Sequence, residues 1–180
     1  MEEQEVSIEG REIKLDTPFF VIATQNPLEQ SGTFPLPESQ LDRFLMRLSL
    51  GYPSAEFERQ LLLGTNLRGK ADAVLSQSDV AQLIDEVQQV HASEAVVDYL
   101  QKLISETRTC GKFVTGLSPR AGLQWLQASK ALAFVEGRNA VLPDDVKLLA
   151  NYTAAHRLHC NDGSESLIAL AEIIDNIEVL

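Results

Sequence analysis

The run Phe19-Phe20-Val21-Ile22-Ala23 most narrows what this chain can fold into. Uninterrupted apolar residues, aromatic or β-branched up to the closing alanine, leave no polar face, which suits a strand covered on both sides in the middle of a sheet. The rest of the chain offers such a strand few partners. Residues 5–15 alternate apolar and polar either side of Glu9-Gly10, as in a hairpin with one polar face. Phe44, Met46, Leu48 and Leu50 alternate with Leu45, Arg47 and Ser49 in a second strand ending at Gly51-Tyr52-Pro53. Between them, Pro27, Gly32, Pro35 and Pro37 make 25–40 a loop. A hairpin and two strands cannot cover both faces and both edges of a buried strand, so the pattern predicts further strands supplied from upstream sequence or from another copy of the chain.

Beyond Ser54, a candidate N-cap, the apolar period becomes helical. A first helix over about 55–66 carries Phe57, Leu61 and Leu62; a second, with Ser78 as cap, carries Val80, Leu83, Ile84 and Val87. A third, capped by Ser93, places Val96, Val97, Leu100, Leu103 and Ile104 on one stripe. The fourth runs from about Pro119 to Glu136 with Ala121, Trp125, Ala128, Leu132 and Val135 inward, and Gly137 is placed to end it. The fifth starts at Pro143, with Asp144 and Asp145 complementing its dipole and Val146, Leu149, Ala150 and Ala154 inward. A sixth covers about 164–176.

Hydrophobic residues at 44% and charged residues at 23% describe a folded globular chain of 180 residues. A formal charge of −11 without a compensating basic cluster disfavours nucleic acid as a partner. No apolar stretch nears the roughly 18–20 residues that span a bilayer, and the start Met1-Glu2-Glu3-Gln4-Glu5 is the opposite of a signal peptide's basic end, which points to the cytoplasm and no membrane insertion. Cys110 and Cys160 are read as buried free thiols. His156 and His159, three apart with no further obvious ligand, are read as structural, so no metal site is expected. Trp125 reads as core, and Arg157 as packing or dipole support at a helix end.

Three short motifs carry chemistry. Ala23-Thr24-Gln25-Asn26-Pro27 puts an amide just past a buried strand, where open α/β sheets bind ligands. Asn26 can orient a water or a phosphate oxygen there, or simply cap the turn before Pro27. Leu41-Asp42-Arg43-Phe44 sets a guanidinium at the mouth of a strand; Arg43 can bind phosphate or pair with Asp42 or Glu38. In Gly116-Leu117-Ser118-Pro119-Arg120-Ala121, Ser118 caps a helix and Pro119 starts it, leaving Arg120 in the first turn. A cation there opposes the helix dipole and becomes favourable when an anion arrives, although an ordinary exposed arginine fits the same residues.

In this order and followed by helices, the motifs resemble the MoxR family of AAA+ ATPases. The resemblance rests on PFFVIATQNPLEQSGTFPLPESQLDRFLMRLSLGYP over 18–53, LSPRA over 117–121, and GRNAVLPDDV before the fifth helix. It implies an α/β remnant of a AAA+ core, hairpin plus two strands, over 1–53, followed by an all-α helical lid bundle over 54–180. By the same resemblance Asn26 matches sensor 1, Arg43 the arginine finger reaching a neighbouring subunit, and Arg120, with Ser118 and Pro119, the nucleotide-binding sensor 2. The family implies ATP and Mg²⁺, hexameric rings, chaperone-like remodelling and partners with von Willebrand factor A domains. Related proteins usually carry Ser or Thr where this chain has Leu142, which weakens a helix cap.

No GxxxxGK[ST] phosphate loop occurs, nor an apolar strand ending in Asp-Glu. Met1-Glu2-Glu3-Gln4 resembles family sequence just after that acidic motif, so the chain is expected to start inside the ATPase core. Alone it is expected neither to hydrolyse ATP nor to hold the nucleotide tightly. The competing expectation is a stand-alone helical protein-interaction module with no nucleotide role; another AAA+ branch, such as a magnesium-chelatase or helicase subunit, is the third, its DNA-acting members disfavoured by the acidic charge.

Overall fold

The computed structural model describes residues 5–8, 10–15, 18–25, 37–65 and 72–179. Strands β1 (Glu5–Ile8) and β2 (Arg11–Lys14) pair antiparallel with Val6 opposite Ile13. Gly10, at φ 79°, supplies the left-handed residue that the tight turn requires. Residues 18–25 and 44–50 are non-helical and enter no ladder among the described residues. Most of their apolar side chains are open to solvent, Phe20 being 74% exposed, Ile22 78% and Leu50 99%, while Met46 packs against the helical core. No described strand lies beside them to take up their backbone groups, which leaves both segments short of the covered-strand environment that their composition suits.

The helical half follows the sequence closely. After the short α1 (Glu38–Leu41) come α2 (Ala55–Leu62), α3 (Gln77–Gln88), α4 (Glu94–Thr109), α5 (Pro119–Val135), α6 (Pro143–Thr153), a 3₁₀ turn (Ala155–Arg157) and α7 (Ser166–Asn176). Ser54 precedes α2 but makes no side-chain cap bond, and α2 buries none of its residues. The cap of α3 is Ser76 rather than Ser78: its hydroxyl accepts from the Asp79 amide while the Asp79 carboxylate accepts from the Ser76 amide. That reciprocal pair satisfies two orphan donors at once, which places the helix start two residues earlier than Ser78 alone suggests.

Burial concentrates in α4 to α7, where Trp125, Tyr99, Leu103, Leu158, Leu170 and Val146 are fully enclosed. Val96, Leu100 and Leu103 face inward as their spacing predicts, joined by Tyr99, while Val97 is exposed. In α5 the stripe holds at Ala121, Trp125 and Ala128 but fails at Val135, which is 81% exposed. The indole Nε1 donates to the Val146 carbonyl at 2.9 Å, tying α5 to α6 through the one polar atom of an otherwise apolar side chain. Gly137, at φ 74°, ends α5 by donating to Phe134, with Arg138 donating to Ala133.

Two short bridges pin the loops. His91 pairs with Ala140, joining the α3–α4 and α5–α6 connections, and Phe113 pairs with Cys160, joining the α4–α5 loop to the segment after the 3₁₀ turn. Cys110 and Cys160 are free thiols, partly rather than fully buried.

Leu142 offers no cap side chain, and the Asp145 carboxylate takes over by accepting the Leu142 amide at 2.8 Å. The same carboxylate receives both Nη atoms of Arg138, at 2.6 and 2.7 Å, as a bidentate fork. Burial pushes the Asp145 carboxyl up, but the Arg138 bonds, the Leu142 amide and the Arg138 charge together hold it below its ordinary value. A carboxyl so depressed contributes stability above its unfolded pKa of about 3.9 and loses it as pH falls through the native value. Asp145→Ala is therefore expected to lower Tm by on the order of 5 °C at pH 7, with the gap to wild type closing below about pH 4 in a calorimetric series.

Candidate functional site at the start of α5

The α4–α5 loop delivers Ser118 and Arg120 to a fixed place. The Leu117 amide donates to Thr107 Oγ1 at 3.1 Å and Arg108 Nε donates to the Leu117 carbonyl at 2.9 Å, holding the loop against α4. Gly116 makes this approach possible, since a Cβ there would lie 2.5–2.8 Å from Arg108 Cγ, Cα and N. Ser118 then caps α5, accepting from the Ala121 amide at 3.1 Å, and Pro119 occupies the first turn. No acidic residue sits in that turn. Arg120 is partly buried, and its charge is felt at Arg157.

The segment carrying Arg43 packs onto this helix start. The Ser118 hydroxyl donates to both carboxylate oxygens of Asp42 at 3.1 Å. Arg157, its side chain only 3% exposed, donates to the carbonyls of Asp42 at 3.2 Å and Phe44 at 2.6 Å, to the Thr153 carbonyl at 3.0 Å, and to Gln124 Oε1. Its Nε lies 3.4 Å from Asp42 Oδ1, an ion-pair distance without hydrogen-bond geometry. Burial lowers the Arg157 pKa from its ordinary value, Asp42 opposes that shift, and the Arg120 charge adds to it. The Arg47 amide donates to the Tyr152 carbonyl at 2.9 Å, continuing the contact along α6. Arg43 itself is exposed. Asn26 lies outside the described residues.

Asp42 thus turns to Ser118 and Arg157, not to the Arg43 pairing open from the sequence. Arg157 does support a helix end, through the Thr153 carbonyl, but most of its bonds go to residues far away in sequence. A cleft of about 200 Å³ opens beside these groups, bounded by Ser39, Asp42, Thr115, Ser118 and Arg157. Among the described residues no group of three or more His, Cys, Asp or Glu is placed to hold a metal ion.

Two family models match the chain: an ATPase family associated with various cellular activities (AAA) over residues 1–46, and a AAA lid domain over 105–177. Chaperone MoxR1 of Mycobacterium tuberculosis is 38% identical over 88% of this chain and 45% of its own length. The chain belongs to the MoxR family of AAA+ ATPases. The YeaC protein of Bacillus subtilis is 36% identical over 99% of this chain and 58% of its own length, so this MoxR-family chain spans about half the length of the curated relatives it matches. A crystal structure of a candidate ATPase from Cytophaga hutchinsonii superposes with a TM-score of 0.89 at 32% identity, covering 99% of this chain and 59% of that one. No helix among the described residues is long and apolar enough to cross a membrane.

His156 lies under the docked segment, with Nε2 3.3 Å from the Phe44 carbonyl. A carbonyl can only accept, so Nε2 carries the proton, and the buried Nδ1 has no partner. Desolvation, followed by the Arg157 charge, pushes the His156 pKa down to about 4. The unfolded chain, titrating near 6.5, takes up this proton first, so the contribution is complete above about pH 6.5 and is lost progressively towards pH 4. Urea unfolding is expected to show about 2 kcal/mol less stability from this group at pH 5 than at pH 7, a difference that His156→Phe should abolish.

Proposed function

We propose that this chain is the sensor-and-lid portion of a ring-forming MoxR-type AAA+ ATPase that couples ATP binding and hydrolysis to chaperone-like remodelling of proteins. The observation that carries the reading is the meeting of two arginine-bearing motifs at one helix start: Asp42 beside Arg43 bonds Ser118 beside Pro119 and Arg120. Arg120, at a helix N-terminus with no acidic residue in its first turn, fits a phosphate oxygen of the chain's own nucleotide, with Ser118 and Pro119 shaping that turn. Arg43, exposed at the edge of the same assembly, fits a phosphate held by a neighbouring subunit. Asn26 is assigned by resemblance to positioning the attacking water.

Among the described residues no group of three or more His, Cys, Asp or Glu gathers for Mg²⁺; on family grounds we assign the metal and most phosphate contacts to a phosphate-loop region that completes the site. Alone, the chain is accordingly proposed to be inactive and to hold no nucleotide tightly. A hexameric ring, von Willebrand factor A domain partners and a cytoplasmic location complete the proposal on family grounds, and the chaperone role follows the name of the Mycobacterium relative. The second reading, an interaction module without nucleotide, draws on α2, whose Phe57 and Leu61 are uncovered.

Calorimetry with a non-hydrolysable ATP analogue and Mg²⁺ separates the two. Binding is expected only when the chain is mixed with a MoxR-family polypeptide supplying the phosphate loop, and Arg120→Ala should weaken it about tenfold or more. If the two polypeptides associate and no binding appears, the interaction-module reading replaces this one.

A further inference from the structure

We propose that Asp42 and Arg157 form a latch fastening the Arg43-bearing segment to the Arg120-bearing helix, so that an anion engaged at Arg120 is felt at Arg43; Arg157 is then a positioning residue for both. The inference rests on the phosphate reading of Arg120 and extends it.

Arg157 donates to the carbonyls of residues 42 and 44, on either side of Arg43, while the Arg43 side chain stays exposed. The backbone of this arginine is therefore gripped and its guanidinium left available. Arg157 also reaches Gln124, one turn beyond Arg120 on α5, and the carbonyl of Thr153 at the end of α6. One buried side chain thus binds three pieces of chain, and the planar fork of arginine allows several acceptors to be met at once, which the point charge of a lysine does not.

The second half of the latch is electrostatic. Asp42 sets a carboxylate on the cap residue of α5, bonded through both oxygens to Ser118 and near Arg157. This is the end of the helix to which a phosphate would also be drawn. An anion arriving at Arg120 meets that carboxylate as a like charge and competes for the same hydroxyl, so it must act on Asp42, and Asp42 is covalently next to Arg43. In a ring, the consequence is a mechanical link between a subunit's own nucleotide, sensed by Arg120, and its neighbour's, contacted by Arg43. A purely structural role would need only the packing, not the charge on Asp42.

The test uses the chain itself, with backbone NMR and amide exchange. In wild type the Arg47 amide, bonded to Tyr152, should exchange about tenfold more slowly than those of Leu48 to Leu50, and inorganic triphosphate at millimolar concentration should move signals at Arg120 and over 42–47 together. Asp42→Ala and Ser118→Ala should each remove the Arg47 protection and confine the triphosphate response to α5, with the Trp125 environment unchanged. Arg157→Lys should behave like Asp42→Ala if it folds; the Asp42 and Ser118 variants decide the matter if it does not. Unaltered Arg47 protection in both of those variants would overturn the latch. A wild-type response at Arg120 without one over 42–47 would overturn the coupling while sparing the phosphate reading, and silence at Arg120 as well would remove the phosphate reading and the coupling with it.

Discussion

A guanidinium withdrawn from water must find acceptors inside the protein, and at Arg157 that requirement organises the structure. Its side chain is 3% exposed, and its bonds run to Asp42, Phe44, Thr153 and Gln124. These acceptors come from the connection after α1, from the end of α6 and from the first turns of α5. Satisfying one charge therefore fixes how three parts of the chain meet, and the meeting point is where the sequence motifs with phosphate chemistry converge. His156, the preceding residue, is kept neutral under the same segment by burial and by the Arg157 charge.

Around that point the helices supply rigidity. Trp125 fills the space between α5 and α6 and uses its indole nitrogen on the Val146 carbonyl, so α5 cannot shift along α6 without breaking a buried bond. Gly116 lets the loop before α5 lie against the α4 backbone, which sets where Ser118 and Arg120 emerge. The amino-terminal part contrasts with this: Phe20, Ile22, Leu48 and Leu50 are open to solvent, and α2 buries nothing. The two matches to AAA family models follow the same division, the ATPase model on residues 1–46 and the lid model on 105–177.

Much of the helical half was legible because its signals are local. Ser93, Pro119, Pro143 and Gly137 mark helix ends at or within two residues of where they occur, and Val146, Leu149 and Ala150 of α6 face inward as their spacing predicts, whereas the buried polar Asp145 and Thr153 lie outside the apolar pattern. Ser76 was also legible in principle, since Asp79 three residues on completes a capping box that Ser78 lacks. Other features depend on contacts that spacing does not encode. Tyr99 is enclosed in the core, and Val135 is exposed although Ala133, two residues earlier, is fully buried and Phe134 packs against the core. Leu142 reads as a weakened cap, yet Asp145 and Arg138 compensate. The least legible feature is the most consequential: Arg157 lies more than a hundred residues from Asp42 and Phe44, and nothing local in its sequence distinguishes it from a helix-end cation.

Arg157 is buried and hydrogen-bonded on the segment that carries Arg43. Arginine-selective NMR of the side-chain nitrogens tests this most directly. The Arg157 Nη protons are expected to be resolved from those of the exposed arginines and slow to exchange with solvent, because their acceptors are the Asp42, Phe44 and Thr153 carbonyls and Gln124. An Arg157 signal averaged with the exposed arginines in the wild-type chain would contradict it.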